Sequence, residues 1–312
     1  MSLLSMADTG KTPPSAKPEP ASYKSFKGAE FRLYPWPGKK ILFLTQSSAL
    51  SPTTMKGLCD VFDGVWAFYR EATGREPEPR SLHEGRLTIA EVADTYGAAC
   101  GYLGMTGIEM TPHCVNDLLV AFEKSGEVDQ ALPYEFGRNF WFYSDPLDYI
   151  HPDSGHSVVT GYAVFMRLMA LDAVGRDVGP FRNRSGRHFR LVMEGLVESY
   201  EADPKLTWAN TILTGEAPPN ALGLNGTDLF ASFCLRLTRD YGGMEFVKRL
   251  WKEAGTRPKA LTTQDAVDNF VIAASYAARK DLSGLFAERW RWPVSDSARK
   301  ETASLPRPSE TK

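Results

Sequence analysis

Hydrophobic positions follow two different patterns along the chain. In the first part they come as short runs and alternations. Lys40-Ile-Leu-Phe-Leu-Thr45 is an apolar run of strand length, and Arg86-Leu-Thr-Ile-Ala-Glu-Val92 alternates in the manner of a second strand. Between them Met55, Leu58, Phe62, Val65, Trp66 and Tyr69 recur at steps of three and four, which is one face of a helix. Ser51-Pro52 opens that helix with an N-cap residue and a proline in the first turn, where its missing N–H costs nothing. The Gly-rich segment Cys100 to Met110 ends in a third strand. From Cys114 onward the helical period dominates, predicting helices near 114–124, 127–143, 157–174, 186–200, 227–241, 244–254, 263–279 and 281–290, with Gly or Pro at most of the boundaries.

The two ends lack a hydrophobic period. Residues 1–27 and 297–312 are expected to be a disordered arm and tail, because they hold too little apolar surface to offset the entropy of ordering. The pattern predicts an α+β fold: a small mixed sheet with helices over 28–150, then a mainly helical subdomain over 151–296.

Composition narrows the function classes. The chain has 312 residues, 36 Lys and Arg against 38 Asp and Glu, 43% hydrophobic and 24% charged residues, the balance of an ordinary globular protein. A formal net charge of −2 argues against a nucleic-acid partner, which calls for a basic excess. No run approaches the ~20 apolar residues of a membrane span, so no membrane partner is expected. The first residues carry no signal-peptide pattern, which makes the cytoplasm the default location. Five His and four Cys leave few transition-metal ligands, and the cysteines form no C-x-x-C pair.

Several motifs have an ordinary reading beside a functional one. Gly101-x-x-Gly104-x-x-Gly107 has neither dinucleotide nor P-loop spacing, and fits glycines that let another backbone approach a strand. The arginines at 182, 184, 187 and 190 could receive an anion, or could pair with nearby acids on a solvated turn. His151, Asp153 and His156 lie close enough in one loop to supply three metal ligands. No G-x-S-x-G elbow is present. The run Phe140-Trp-Phe-Tyr143 cannot share one helical face, so part of it is expected to face a cleft or the second subdomain; core packing is the ordinary reading and a carbohydrate or peptide platform the functional one.

The most informative segment is Leu132-Pro-Tyr134-Glu135-Phe136-Gly137-Arg138-Asn139-Phe140-Trp141. It resembles the active-site helix of gluzincin-type, M60-like zinc metallopeptidases, whose pattern is His-Glu-x-x-His followed by Asn-Phe and an aromatic. In that pattern two histidines four apart grip one zinc and the Glu polarises the metal-bound water. Laid on it, Glu135 is retained while the two histidines become Tyr134 and Arg138. Two further pieces resemble the family: the Gly101 to Met110 segment stands where it carries a substrate-binding edge strand. Asp281-Leu-Ser-Gly-Leu-Phe-Ala-Glu-Arg-Trp290-Arg-Trp292-Pro293 is similar to its closing helix. The third metal ligand is a Glu on the next helix, whereas here Ser157 onward offers no carboxylate before Asp172.

The resemblance implies a zincin-like fold that has lost its zinc, with no cofactor. The expected function is a non-catalytic relative binding a peptide or carbohydrate in the interdomain cleft. Glu135 is the remaining catalytic-type residue, with Tyr134, Arg138, Thr160 and Tyr162 lining the cleft. Two alternatives stand beside it: an active hydrolase with its metal relocated to His151, Asp153 and His156, and an interaction or scaffold protein.

Overall fold

A computed structural model of the chain describes residues 19–148, 157–180 and 184–308. The first element is a seven-stranded mixed sheet, ordered β1-β2-β3-β5-β7-β6 with β4 paired to β5. Its strands are β1 (Ala21–Lys24), β2 (Glu30–Pro37), β3 (Ile41–Thr45), β4 (Leu82–His83), β5 (Arg86–Glu91), β6 (Ala99–Gly101) and β7 (Ile108–Met110). The β3–β5 and β5–β7 pairs are parallel and the others antiparallel. All five residues of β3 are buried, which explains its unbroken apolar run: this strand is covered on both faces.

Helix α1 (Pro52–Thr73) starts where Ser51 accepts the Thr54 N–H on its hydroxyl, and stops at Gly74 in a left-handed C-cap. Its predicted stripe is buried. The remaining helices are α2 (Pro112–Ser125), α3 (Ala131–Asn139), α4 (Ser144–Leu147), α5 (Ser157–Ala173), α6 (Gly186–Glu194), α7 (Leu196–Ala202), α8 (Gly226–Asp240), α9 (Gly243–Ala254), α10 (Thr263–Ala278) and α11 (Asp296–Thr302). The fold is thus a small mixed sheet with helices followed by a mainly helical part, as the hydrophobic pattern predicts. One continuous core runs from Ile41 through Phe136 and Tyr162 to Trp292, and a smaller cluster around Leu42 and Leu44 lies on the other face of the sheet.

Four expectations change. Residues 21–24, assigned to the disordered arm, form β1, because Glu109 reaches them: its buried carboxylate accepts the Tyr23 hydroxyl at 3.1 Å and the Phe26 N–H at 2.6 Å. Part of the tail forms α11, where Ser295 caps Ala298 and the Thr302 hydroxyl donates to Asp281. The helix expected over 127–143 is only Ala131–Asn139, so the aromatic run leaves the helix and escapes the single-face restriction. Phe140, Trp141 and Tyr143 are all buried, and only Phe142 is half-buried. The helix expected near 281–290 is a π-helical turn, Leu285–Arg289, whose flanking Trp290 and Trp292 pack on Phe233.

Candidate functional site

Helix α3 is wedged between the sheet and two other helices. Leu132 and Phe136 turn into the core, and the Phe136 ring stacks on Phe62 of α1 at 5.6 Å. Gly137 lets α5 close on it, since a Cβ there would stand 2.9 Å from the Ala163 Cα. On another side lies β6, an edge strand of the sheet. At Gly101 a Cβ would lie 2.8 Å from the Glu135 carbonyl oxygen and 2.9 Å from Asn139 Nδ2, so only glycine allows strand and helix to come this close.

Both polar groups of Gly101 are engaged by α3. Glu135 Oε2 accepts the Gly101 N–H at 2.6 Å, and Arg138 Nε donates to the Gly101 carbonyl at 3.0 Å. The same Nε stands 3.5 Å from Glu135 Oε2, which ties the two side chains together. Asn139 Nδ2 extends the clamp, donating to the carbonyls of Tyr102 at 3.1 Å and Gly107 at 3.2 Å. A carboxylate and a guanidinium therefore do here what a paired strand does elsewhere: they satisfy the outer edge of the sheet.

Burial pushes the Glu135 carboxyl up to about 7, against the opposing pull of the Arg138 charge and the Gly101 N–H. The side chain is 8% exposed, whereas Arg138 is 29% exposed. Tyr134 and Thr160 are half-buried. Tyr162, expected to line the cleft, is fully buried instead. Its hydroxyl donates to the Phe140 carbonyl at 2.9 Å and its ring meets Trp251 at 4.6 Å, making it part of the core. Tyr162→Phe should cost about 1–2 kcal/mol, because the buried Phe140 carbonyl loses its donor; urea denaturation measures it. His151, Asp153 and His156 lie outside the described residues.

Tyr134 and Arg138, which stand where the sequence resemblance would put zinc ligands, do not suit zinc. The first supplies a phenol and the second a permanent cation, which at about 4 Å from a divalent ion would oppose it by several kcal/mol at an effective dielectric of ~20. Among the described residues no three His, Cys, Asp or Glu side chains gather as a metal set. Arg190, from the arginine cluster, grips Asp172 with two hydrogen bonds of 2.6 and 2.8 Å and reaches Glu194 at 2.9 Å, so at this position the cluster is an ion-pair network.

Three structural contributors were not foreseen in the sequence. Glu109 is fully buried and takes a third donor, Thr95, at 2.7 Å; its only trace is a charge inside the apolar β7. Asn139 lies within the motif already singled out, but its bridge to the Tyr102 and Gly107 carbonyls depends on which loop lies opposite and was not foreseen. Arg167 on α5 is buried, its Nε without a hydrogen-bond partner among the described residues, and it rests against the Phe189 ring at 5.2 Å. Burial pulls its pKa down to about 10, opposed by Asp228 and the nearby phenols of Tyr134 and Tyr69.

No protein-family model matches the chain and no curated protein matches it in sequence. Its structure is similar to that of a functionally unknown conserved protein from Bacillus anthracis str. Ames, with a TM-score of 0.57 and 13% identity over 88% of this chain and 52% of that one. It is also similar to the ZmpB metallopeptidase from Clostridium perfringens, with a TM-score of 0.54 and 17% identity over 87% of this chain and 48% of that one. The M60 catalytic domain of Clostridium perfringens ZmpC, in complex with the sialyl T antigen, gives 0.54 and 16% over 89% and 50%. The fold is therefore metallopeptidase-like, of the M60 catalytic-domain kind. The chain spans about half the length of these structures.

Proposed function

We propose that the chain is a non-catalytic protein of metallopeptidase-like fold that binds a peptide or glycan beside α3 and β6. The observation that supports this most is the engagement of Glu135 and Arg138 with Gly101. A carboxylate that holds a backbone N–H at 2.6 Å beside a guanidinium is poorly placed to activate water on a metal. The pair instead anchors the helix where a metal site would otherwise organise it.

The accessible chemistry is that of recognition. Arg138 bonds Gly101 through Nε, which leaves its two terminal nitrogens as donors on a half-buried side chain. Tyr134 adds a hydroxyl and Thr160 another, both half-buried. A ligand rich in carbonyl, carboxylate or hydroxyl oxygens suits these donors. The sialyl T antigen carried by the ZmpC domain is the first glycan to test.

Titration calorimetry with that antigen and with a peptide library should find a ligand whose binding falls at least tenfold in Arg138→Ala while the variant stays folded. Purified protein should hold no stoichiometric zinc, and chelator should leave its Tm unchanged. Zinc that disappears in a His151→Ala/His156→Ala double variant would instead overturn the metal-free reading and favour a relocated metal site. A stable protein complex that survives both Arg138→Ala and Glu135→Gln would favour the scaffold.

A further inference from the structure

A groove lies on the outer side of α1, and Glu135 is not among its lining residues. The turn joining β2 to β3, the second half of α1 and Lys252 of α9 enclose this groove of about 770 Å3. The turn is held rigidly. Asp63 of α1 accepts the backbone N–H groups of Lys39 at 2.6 Å, Lys40 at 2.7 Å and Ile41 at 3.2 Å. Gly38 packs so closely on that carboxylate that a Cβ would fall 2.8 Å from its Oδ2. Lys39 and Lys40 therefore project from a fixed backbone at the rim.

The charges of the groove are unequally satisfied. Each of its carboxylates already has partners: Asp63 the turn, Asp60 the Lys56 ammonium, and Glu71 the Lys248 ammonium at 2.7 Å. Arg70 is likewise paired, with Glu76 at 2.9 Å. The ammonium groups of Lys39, Lys40 and Lys252 make no ion pair or side-chain hydrogen bond among the described residues. Lys252 lays its stem along Gly74 at the end of α1, with Cε 3.5 Å from a Cβ built there. Trp66 also lines the groove; it is 6% exposed, and its indole N–H is without a hydrogen-bond partner among the described residues. The groove thus offers three uncommitted cations, while Asp60 and Glu71 are paired with lysines and Asp63, bonded to backbone N–H groups alone, keeps its charge. Lysines act as point charges for phosphate and sulfate oxygens, without the planar geometry a carboxylate selects.

We propose that this groove binds a compact polyanion bearing two or more phosphate or sulfate groups. The test is titration of the full chain with tripolyphosphate and, separately, with a sulfated heparin-derived disaccharide, at low and at physiological salt. At least one probe is expected to bind, with affinity that weakens as salt rises. Lys39→Glu/Lys252→Glu should reduce that affinity at least tenfold with Tm unchanged. Charge reversal of two lysines remote from the groove, Lys24→Glu/Lys205→Glu, should leave it within twofold. Preference for one probe identifies the source as phosphorylated or sulfated. Failure of both probes to bind at millimolar concentration overturns the proposal, as does equal weakening by the remote pair, which would reveal only a general charge effect.

Discussion

Gly101→Val should lower the stability of the protein by about 3 kcal/mol, with Gly101→Ala losing a smaller share of that. The penalty is steric. Gly101 does not adopt the left-handed conformation that favours glycine, so backbone strain is not at issue. A Cβ would lie 2.8 Å from the Glu135 carbonyl oxygen, a backbone atom in the middle of α3 that no rotamer change can move. Relief requires strand and helix to separate. Separation stretches the 2.6 Å bond to the Glu135 carboxylate and the 3.0 Å bond from Arg138 together. Valine adds two γ carbons to the same contact, hence the larger loss. Guanidinium denaturation of the two variants and the parent checks the order. A Gly101→Val protein of unchanged stability would mean that α3 and β6 do not close on each other, and would remove the main support for a non-catalytic site.

The frame of this fold is readable in the sequence because its elements obey local rules. Ser51-Pro52 and the stripe from Met55 to Tyr69 define α1 through capping and periodicity, which act within a few residues. The unbroken apolar run of β3 follows from burial on both faces. Tyr134, Glu135 and Arg138 stand out because their spacing matches a known pattern. What the sequence does not reveal is pairing across long separations. The clamp joins residues 34 and 37 positions apart, and Glu109 ties down β1 from 86 positions away. The ordering of residues 21–24 is invisible without that carboxylate, since their own composition is polar. Tyr162 misleads for a related reason. A tyrosine near the start of a helix reads as amphipathic, and only the neighbouring Phe140 carbonyl, freed when the chain leaves α3, makes a buried place for its hydroxyl.

Glu135→Gln should change stability in a strongly pH-dependent way, and the sign distinguishes the forces on this carboxyl. Its folded-state pKa of about 7 lies above the ordinary 4.5, so the native protein holds the proton more tightly than the unfolded chain does. Between pH 4.5 and 7 the native state therefore binds more protons, and stability contributed by this group falls as pH rises through that window. The protonated form keeps the contribution below it, and above it the loss is complete. The gap between the two values is worth about 3 kcal/mol. Glutamine cannot ionise, so the stability difference between variant and parent should move by about 3 kcal/mol in the variant's favour from pH 4 to pH 8. Any fixed penalty for the altered contacts with Gly101 and Arg138 cancels from that change. Urea denaturation of both proteins across this range measures it. A flat difference would mean that Arg138 and the Gly101 N–H offset burial in full. A difference that turns against the variant with rising pH would mean that they outweigh it and that Glu135 is a simple structural ion pair. The expected sign instead marks a carboxyl whose burial outweighs its contacts with Arg138 and the Gly101 N–H, so that its ionisation destabilises the fold near neutral pH.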